Sequence, residues 1–153
     1  MRERFDPPIE RCRFAASGAS LLAELAAKSG WDDARIERVL WHGGLHLDGR
    51  PRHDVPERVA AGTVVDAYAF AWEPAPIAIG AAHVLAEGHD WLAAAKPPWI
   101  TTQRSRASDR LDLEAALRGF TGTEALAAVH RLDRETSGVV LFAKTRAAAS
   151  ASV

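Results

Sequence analysis

The spacing of apolar residues changes along the chain, and each change marks a new element. Behind Ser20, residues Leu21, Leu22, Leu25 and Ala26 recur at helical spacing. Ser20 suits the cap of that helix and Gly30 its stop. A second helical pattern runs from Asp32 to about His42. Ile36, Val39 and Leu40 form its apolar face, Asp32 and Asp33 suit its positive end, and Arg35 and Arg38 fall on another side. The period then shortens to two in GGLHLDGR, where Leu45 and Leu47 share a face and Asp48-Gly49 signals a tight turn. TVVDAYAF, after Gly62, reads as a further strand. In AWEPAPIAIG, residues 71–80, Pro74 and Pro76 prevent regular helix and favour an extended connector.

Past the connector, the turn Glu87-Gly88-His89-Asp90 leads into an apolar strand from Trp91 to Ala95. Lys96-Pro97-Pro98 stops its ladder. Arg104, Arg106 and Arg110 mark a loop, and Leu111, Leu113, Ala116 and Leu117 predict a short helix ending before Gly119. A dense polar run, His130 to Gly138, opens onto Val139–Ala143, a continuous apolar strand expected to be buried on both faces. The alanine-rich tail RAAASASV suits a helix start or a frayed end. The pattern predicts an α+β chain with a first unit over residues 1–70, a connector over 71–80 and a second unit over 81–153.

Composition narrows the function classes. No apolar run approaches a membrane span, and the start MRERFDPPIERCRF is too polar for a signal peptide, so a cytoplasmic location without a membrane partner is expected. Cys12 stands alone, which excludes an internal disulfide and a cysteine metal cluster. His42 and His46 are four apart, but Gly43-Gly44 interrupts the helix that a metal site of that spacing needs. The net charge of −1 gives no overall basic excess, so any nucleic-acid reading must rest on local arginine clusters. On residue type alone, Arg35, Arg38, Arg50 and Arg52 read as a solvated charged face.

The chemistry concentrates in the polar run. Asp133 lies between Arg131 and Arg134 at the mouth of a strand, a setting that suits a nucleophile or base rather than a proton donor. Thr136 and Ser137 can hold the loop by hydrogen bonds, and Gly138 permits a tight turn. A structural Arg–Asp ion pair explains the same residue types, and the residues leave both readings open.

The string His130-Arg131-Leu132-Asp133-Arg134-Glu135-Thr136-Ser137-Gly138 resembles the signature of the RluA-type RNA pseudouridine synthases. Its usual form is H-R-L-D-x-x-T-S-G, followed by an apolar strand and Ala-Lys. Ala143-Lys144 stand at that place, and Lys96-Pro97 and Trp72-Glu73-Pro74 resemble further elements of the family. The first unit is similar to the ribosomal S-four-type RNA-binding module through Arg35, Arg38, Gly44, Leu45, Leu47, Asp48 and Gly49. Asp48 replaces the usual asparagine there, and Gly62-Thr63 a Gly-Asp pair.

The resemblance implies a small αα-β RNA-binding module followed by a mixed or antiparallel β-sheet synthase domain. It implies isomerisation of uridine to pseudouridine in rRNA or tRNA, with no metal or organic cofactor. Asp133 becomes the essential carboxylate. Arg131 fills the space left by the target base or pairs with phosphate, and His130, Thr136 and Ser137 position the loop. Arg134, Arg104 and Arg106 bind RNA in the second unit and Arg35, Arg38 and Arg50 in the first. The family's later motifs, which supply an active-site tyrosine and a basic residue, have no counterpart, and Tyr68 belongs to the first unit. The resemblance therefore implies a truncated sheet in which Val139–Ala143 lack neighbours, and a chain with little activity of its own. A fragment, a second chain that completes the sheet and a non-catalytic RNA-binding remnant all fit that expectation, as does a protein-interaction module that uses the unfinished sheet edge.

Overall fold

The computed structural model describes residues 7–151. The first six residues of the polar start and the last two of the alanine-rich tail lie outside them. The chain is α+β and divides into two units. One comprises Pro7–Pro74 with Arg106–Asp109, the other Ala75–Ser105 with the chain from Arg110 on.

The first unit contains β1 (Ile9–Ala15), α1 (Leu21–Ser29), α2 (Asp33–His42), β2 (Leu45–Leu47), β3 (Arg50–Arg52) and β4 (Val64–Phe70). Its antiparallel sheet has the order β1-β4-β2-β3. The Asp32 side chain caps α2 by accepting from the Arg35 amide at 2.8 Å, and a left-handed Gly43 ends it. Ser20 stands at the start of α1 without making a side-chain cap bond. Leu21 and Leu25 of α1 and Ile36 and Val39 of α2 pack against Leu45, Val65 and Ala67 of the sheet. Each fully buried large side chain of that set contributes roughly 1.5–3 kcal/mol. Asp48 and Gly49 both take positive φ, 48° and 80°, the geometry that matches the twist of a two-residue hairpin. The pattern of the chain does not mark β1, although it pairs with β4 over its full length, from Ile9 opposite Phe70 to Ala15 opposite Val64.

The second unit contains a short turn of 3-10 helix (Ala81–His83), β5 (Val84–Glu87), β6 (Trp91–Lys96), α3 (Leu113–Thr121), β7 (Ala127–Ala128), β8 (Gly138–Ala143) and α4 (Arg146–Ala151). Its antiparallel sheet runs β5-β6-β8-β7. Leu92 and Ala94 of β6 and Val140 and Phe142 of β8 form a core with Leu113 and Leu117 of α3.

Three expectations change here. α3 does not end before Gly119 but runs through it to Thr121, and Gly122 takes the left-handed stop at φ 69°. A glycine within a helix costs roughly 1 kcal/mol, and the apolar face of Leu113 and Leu117 outweighs it. Strand β8 is not buried on both faces. Val140 and Phe142 are fully buried, whereas Val139 is 52% and Leu141 43% exposed, the alternation of an antiparallel sheet with one packed face. Nor does β8 lack neighbours, since β6 and β7 flank it.

Candidate active site

The polar run enters β8 beside the end of β6. Gly138, the first residue of β8, pairs with Lys96, the last of β6. Gly138 adopts φ 154°, and a Cβ there would stand 3.1 Å from Leu132 Cδ1, so both conformation and space call for glycine. The loop folds back on itself where the Thr136 amide donates to the Asp133 carbonyl at 3.0 Å.

Lys96 holds this loop from below. Only 2% exposed, its ammonium donates to the carbonyls of Thr136 at 2.7 Å, Arg134 at 3.1 Å and Pro97 at 3.2 Å. Burial pushes the ammonium below the ordinary lysine range; the Asp133 carboxylate pulls it back up, and the Arg134 guanidinium adds to the depression. The Arg134 carbonyl also accepts from the Trp99 amide at 2.8 Å. One residue before Asp133, the buried Thr102 hydroxyl accepts from the Leu132 amide at 3.0 Å and donates to the Leu132 carbonyl at 2.9 Å. Asp133 itself is exposed. Its side chain thus stands in solvent on a backbone fixed on both sides.

His130 is exposed, and its Nε2 accepts from the Leu141 amide of β8 at 3.2 Å, which places the ring proton on Nδ1 in the neutral form. Thr136 contributes through its backbone, and Ser137 is exposed just before Gly138. Beside the loop lies a cavity of about 160 Å³ lined by Thr101, Thr102, Gln103, Arg104, Ser105, Arg131, Leu132 and Arg134. The structure therefore gathers Arg104, Arg131 and Arg134, three arginines from two distant stretches of chain, at one cleft next to Asp133.

The other arginines expected to bind RNA belong to the first unit, Arg106 among them, although its place in the chain assigned it to the second. Arg106 is exposed, and its carbonyl accepts from His46 Nε2 at 2.9 Å. Arg38 and Arg50 are exposed. Arg52 is engaged by Asp54 at 2.7 Å. Arg35 is largely committed within the unit: it pairs with Glu10 at 2.8 Å, donates to the Phe70 carbonyl at 3.4 Å and stacks over Trp31 at 5.3 Å.

The first unit also contains a Ser108–His42–Glu73 chain, with Ser108 Oγ 3.2 Å from Nδ1 and Glu73 3.0 Å from Nε2. Its residue types suit a hydrolase, but its setting does not. Ser108 and His42 are buried, and the adjoining cavity of about 10 Å³ admits one water at most. These contacts, with that of His46, anchor the segment Arg106–Asp109. Gly44 lets the segment approach, since a Cβ there would stand 3.2 Å from the Ala107 carbonyl and 2.4 Å from that of Tyr68.

Sequence reasoning marks Lys96 only as the end of a strand motif and misses Thr102. The available signal for Lys96 is a lysine closing an apolar strand directly before two prolines. Thr102 has none, because its partner lies thirty residues away.

Residues 90–152 match the family described as RNA pseudouridylate synthase. The match takes in β6, β8, Asp133 and the whole lining of the arginine cleft, and it supports the pseudouridine synthase family, an isomerase acting on RNA. A search of curated proteins finds no match to the chain.

Proposed function

We propose that this chain is an RluA-type RNA pseudouridine synthase that isomerises a uridine of rRNA or tRNA, with Asp133 as its essential carboxylate. The observation that carries this reading is the setting of Asp133: an exposed carboxylate on clamped backbone, beside a cleft that holds Arg104, Arg131 and Arg134. Such a group is available to substrate and yet fixed in position.

In the isomerisation the bond from ribose to the base nitrogen breaks, the base turns, and a carbon–carbon bond forms. Asp133 serves either by attack on the anomeric carbon or by removal of a proton from the adjacent ribose carbon, and each route needs a carboxylate held against the sugar. The uridine must leave its stack, at a cost of roughly a few kcal/mol when paired. Arg131, exposed at the cleft, suits the vacated space or a neighbouring phosphate, and Arg104 and Arg134 suit the backbone. His130 and the backbone of Thr136, with Ser137, keep the loop in shape. The first unit is read as an S-four-like RNA-binding module whose exposed Arg38, Arg50 and Arg106 meet phosphate, with Arg35 in a supporting place. The chemistry calls for no cofactor.

The test is nucleoside analysis of rRNA and tRNA incubated with the purified protein. Pseudouridine should appear with the wild type, at the low level expected of the chain on its own, and vanish with Asp133→Asn, while RNA binding stays. RNA binding without pseudouridine in either protein would overturn the catalytic reading in favour of a non-enzymatic RNA binder.

A further inference from the structure

We infer that Thr102 is a positioning residue for Asp133, acting through the peptide groups of Leu132; the inference rests on the role given to Asp133 above. Leu132 lies outside any strand, so no ladder satisfies its amide and carbonyl. One side-chain oxygen serves both: Thr102 Oγ1 accepts from the amide at 3.0 Å and donates to the carbonyl at 2.9 Å. The hydroxyl has a single proton, which is spent on the Leu132 carbonyl, so Thr102 does not serve as a donor to substrate even though it borders the cleft.

The support behind Thr102 is rigid. Its own carbonyl accepts from the Glu114 amide at 3.1 Å, and the Thr101 carbonyl from the Leu113 amide at 2.9 Å. These donors are the first amides of α3, whose start is fixed by the buried Asp112 accepting from the Ala115 amide at 2.8 Å. The branched threonine side chain is also restricted in χ1. The α3 terminus therefore sets Thr102, Thr102 sets residue 132, and the next residue carries the carboxylate. Lys96 acts separately, on the carbonyls of residues 134 and 136. With either clamp released, the Asp133 carboxylate loses a fixed distance to its target, and a misplacement of about 1 Å lowers turnover roughly a hundredfold.

The test compares Thr102→Val, which keeps the shape and removes the hydroxyl, with Thr102→Ser, which keeps the hydroxyl. Three quantities are read: kcat and KM for pseudouridine formation, RNA affinity, and hydrogen exchange of the Leu132 amide. The expected result for valine is a fall in kcat of roughly tenfold or more, KM and RNA affinity unchanged, and Leu132 exchange faster by roughly tenfold. Serine should restore most of the turnover and the protection. Wild-type kcat and wild-type protection in the valine variant would overturn the inference. So would a loss of turnover in which Leu132 exchange rises no more than that of β6 and β8, because the hydroxyl would then act only through global stability. If valine prevents folding, Thr102→Ala, which leaves room for a water, takes its place in the same comparison. Absence of pseudouridine with the wild-type protein would sink the assignment of Asp133, whereas the exchange measurement would still decide whether Thr102 holds Leu132.

Discussion

The Lys96 ammonium stands 2.7 Å from the carbonyl oxygen of Thr136, three residues past Asp133, and closes the floor of the signature loop. The same group reaches the Arg134 carbonyl, so one buried charge grips the chain on the far side of the carboxylate. Replacing it tests whether that grip serves stability or position. In Lys96→Met the Arg134 carbonyl keeps the Trp99 amide, while Pro97 is a half-buried residue and Thr136 an exposed one. The lost bonds are further offset because a buried ammonium no longer has to be desolvated. The net loss should be only about 1–2 kcal/mol, read as a modest drop in urea midpoint. Pseudouridine formation should fall much further than stability.

The proton on Lys96 gives that variant a second signature. Folding lowers its proton affinity from the ordinary 10.5. Between the folded and unfolded values the unfolded chain binds more protons, so the Lys96 contribution to stability rises with pH across that window. Below the folded value both states hold the proton, and the burial cost is fully present. Unfolding free energies measured at several alkaline pH values should show this rise in the wild type relative to Lys96→Met; parallel curves would refute it.

Arginine substitutions should separate into two classes. Arg104→Ala, Arg131→Ala or Arg134→Ala should weaken binding to all RNA sequences alike and lower the slope of log affinity against log salt by about one each. Arg35→Ala should leave that slope nearly unchanged and lower the urea midpoint, because it removes the Glu10 pair and the stacking on Trp31. A salt titration of RNA binding across the four variants decides the matter. An unchanged slope in the cleft variants would remove RNA from that site.

The contrast between Arg35 and Arg104 shows what the sequence can carry. Both are arginines in polar stretches, and only tertiary contact tells the committed one from the open one. Local devices were readable: the acidic start of α2 at Asp32 and Asp33, the tight turn at Asp48-Gly49, and a polar cluster at the mouth of an apolar strand. These rest on neighbours within a few residues. Strand β1 was not readable, because Cys12 and Phe14 are too few to set a period among Arg11 and Arg13. The end of α3 was misread because a glycine inside a helix and one just beyond it look alike until one takes the left-handed conformation, as Gly122 does. The Thr102 clamp left no trace at all, since it joins residues distant in sequence.

Acid should weaken the first unit. The Arg11 guanidinium, bonded to Asp66 at 2.7 Å, holds that carboxyl below its ordinary 3.8, aided by the Tyr68 hydroxyl at 3.1 Å and opposed by burial. The unfolded chain takes up the proton first as pH falls. The stabilisation is therefore full above the ordinary aspartate value and is lost as pH drops through the lowered folded value. Glu10, Glu24 and Asp54 are lowered too and act with the same sign. Asp66→Asn should cost roughly 1–2 kcal/mol at neutral pH and flatten the acid limb of the stability curve. Urea unfolding between pH 2 and pH 6, a range bracketing the ordinary carboxylate values, checks this; an unaltered acid limb in the variant would show that Asp66 is not a main contributor.

Strand β8 offers a test of which face is packed. A strand buried on both sides would lose stability wherever its apolar residues were cut, whereas this one alternates. Phe142 is fully buried among Leu92, Leu113 and Leu117, while Leu141 is 43% exposed. Phe142→Ala leaves a cavity and should cost roughly 3–5 kcal/mol. Leu141→Thr keeps a strand-forming residue on the open face and should fall within about 0.5 kcal/mol of the wild type. Urea midpoints of the two variants at one pH settle the question. A cost at Leu141 approaching that at Phe142 would mean that the open face is covered in solution, and the concentration dependence of that cost would show whether another copy of the chain covers it.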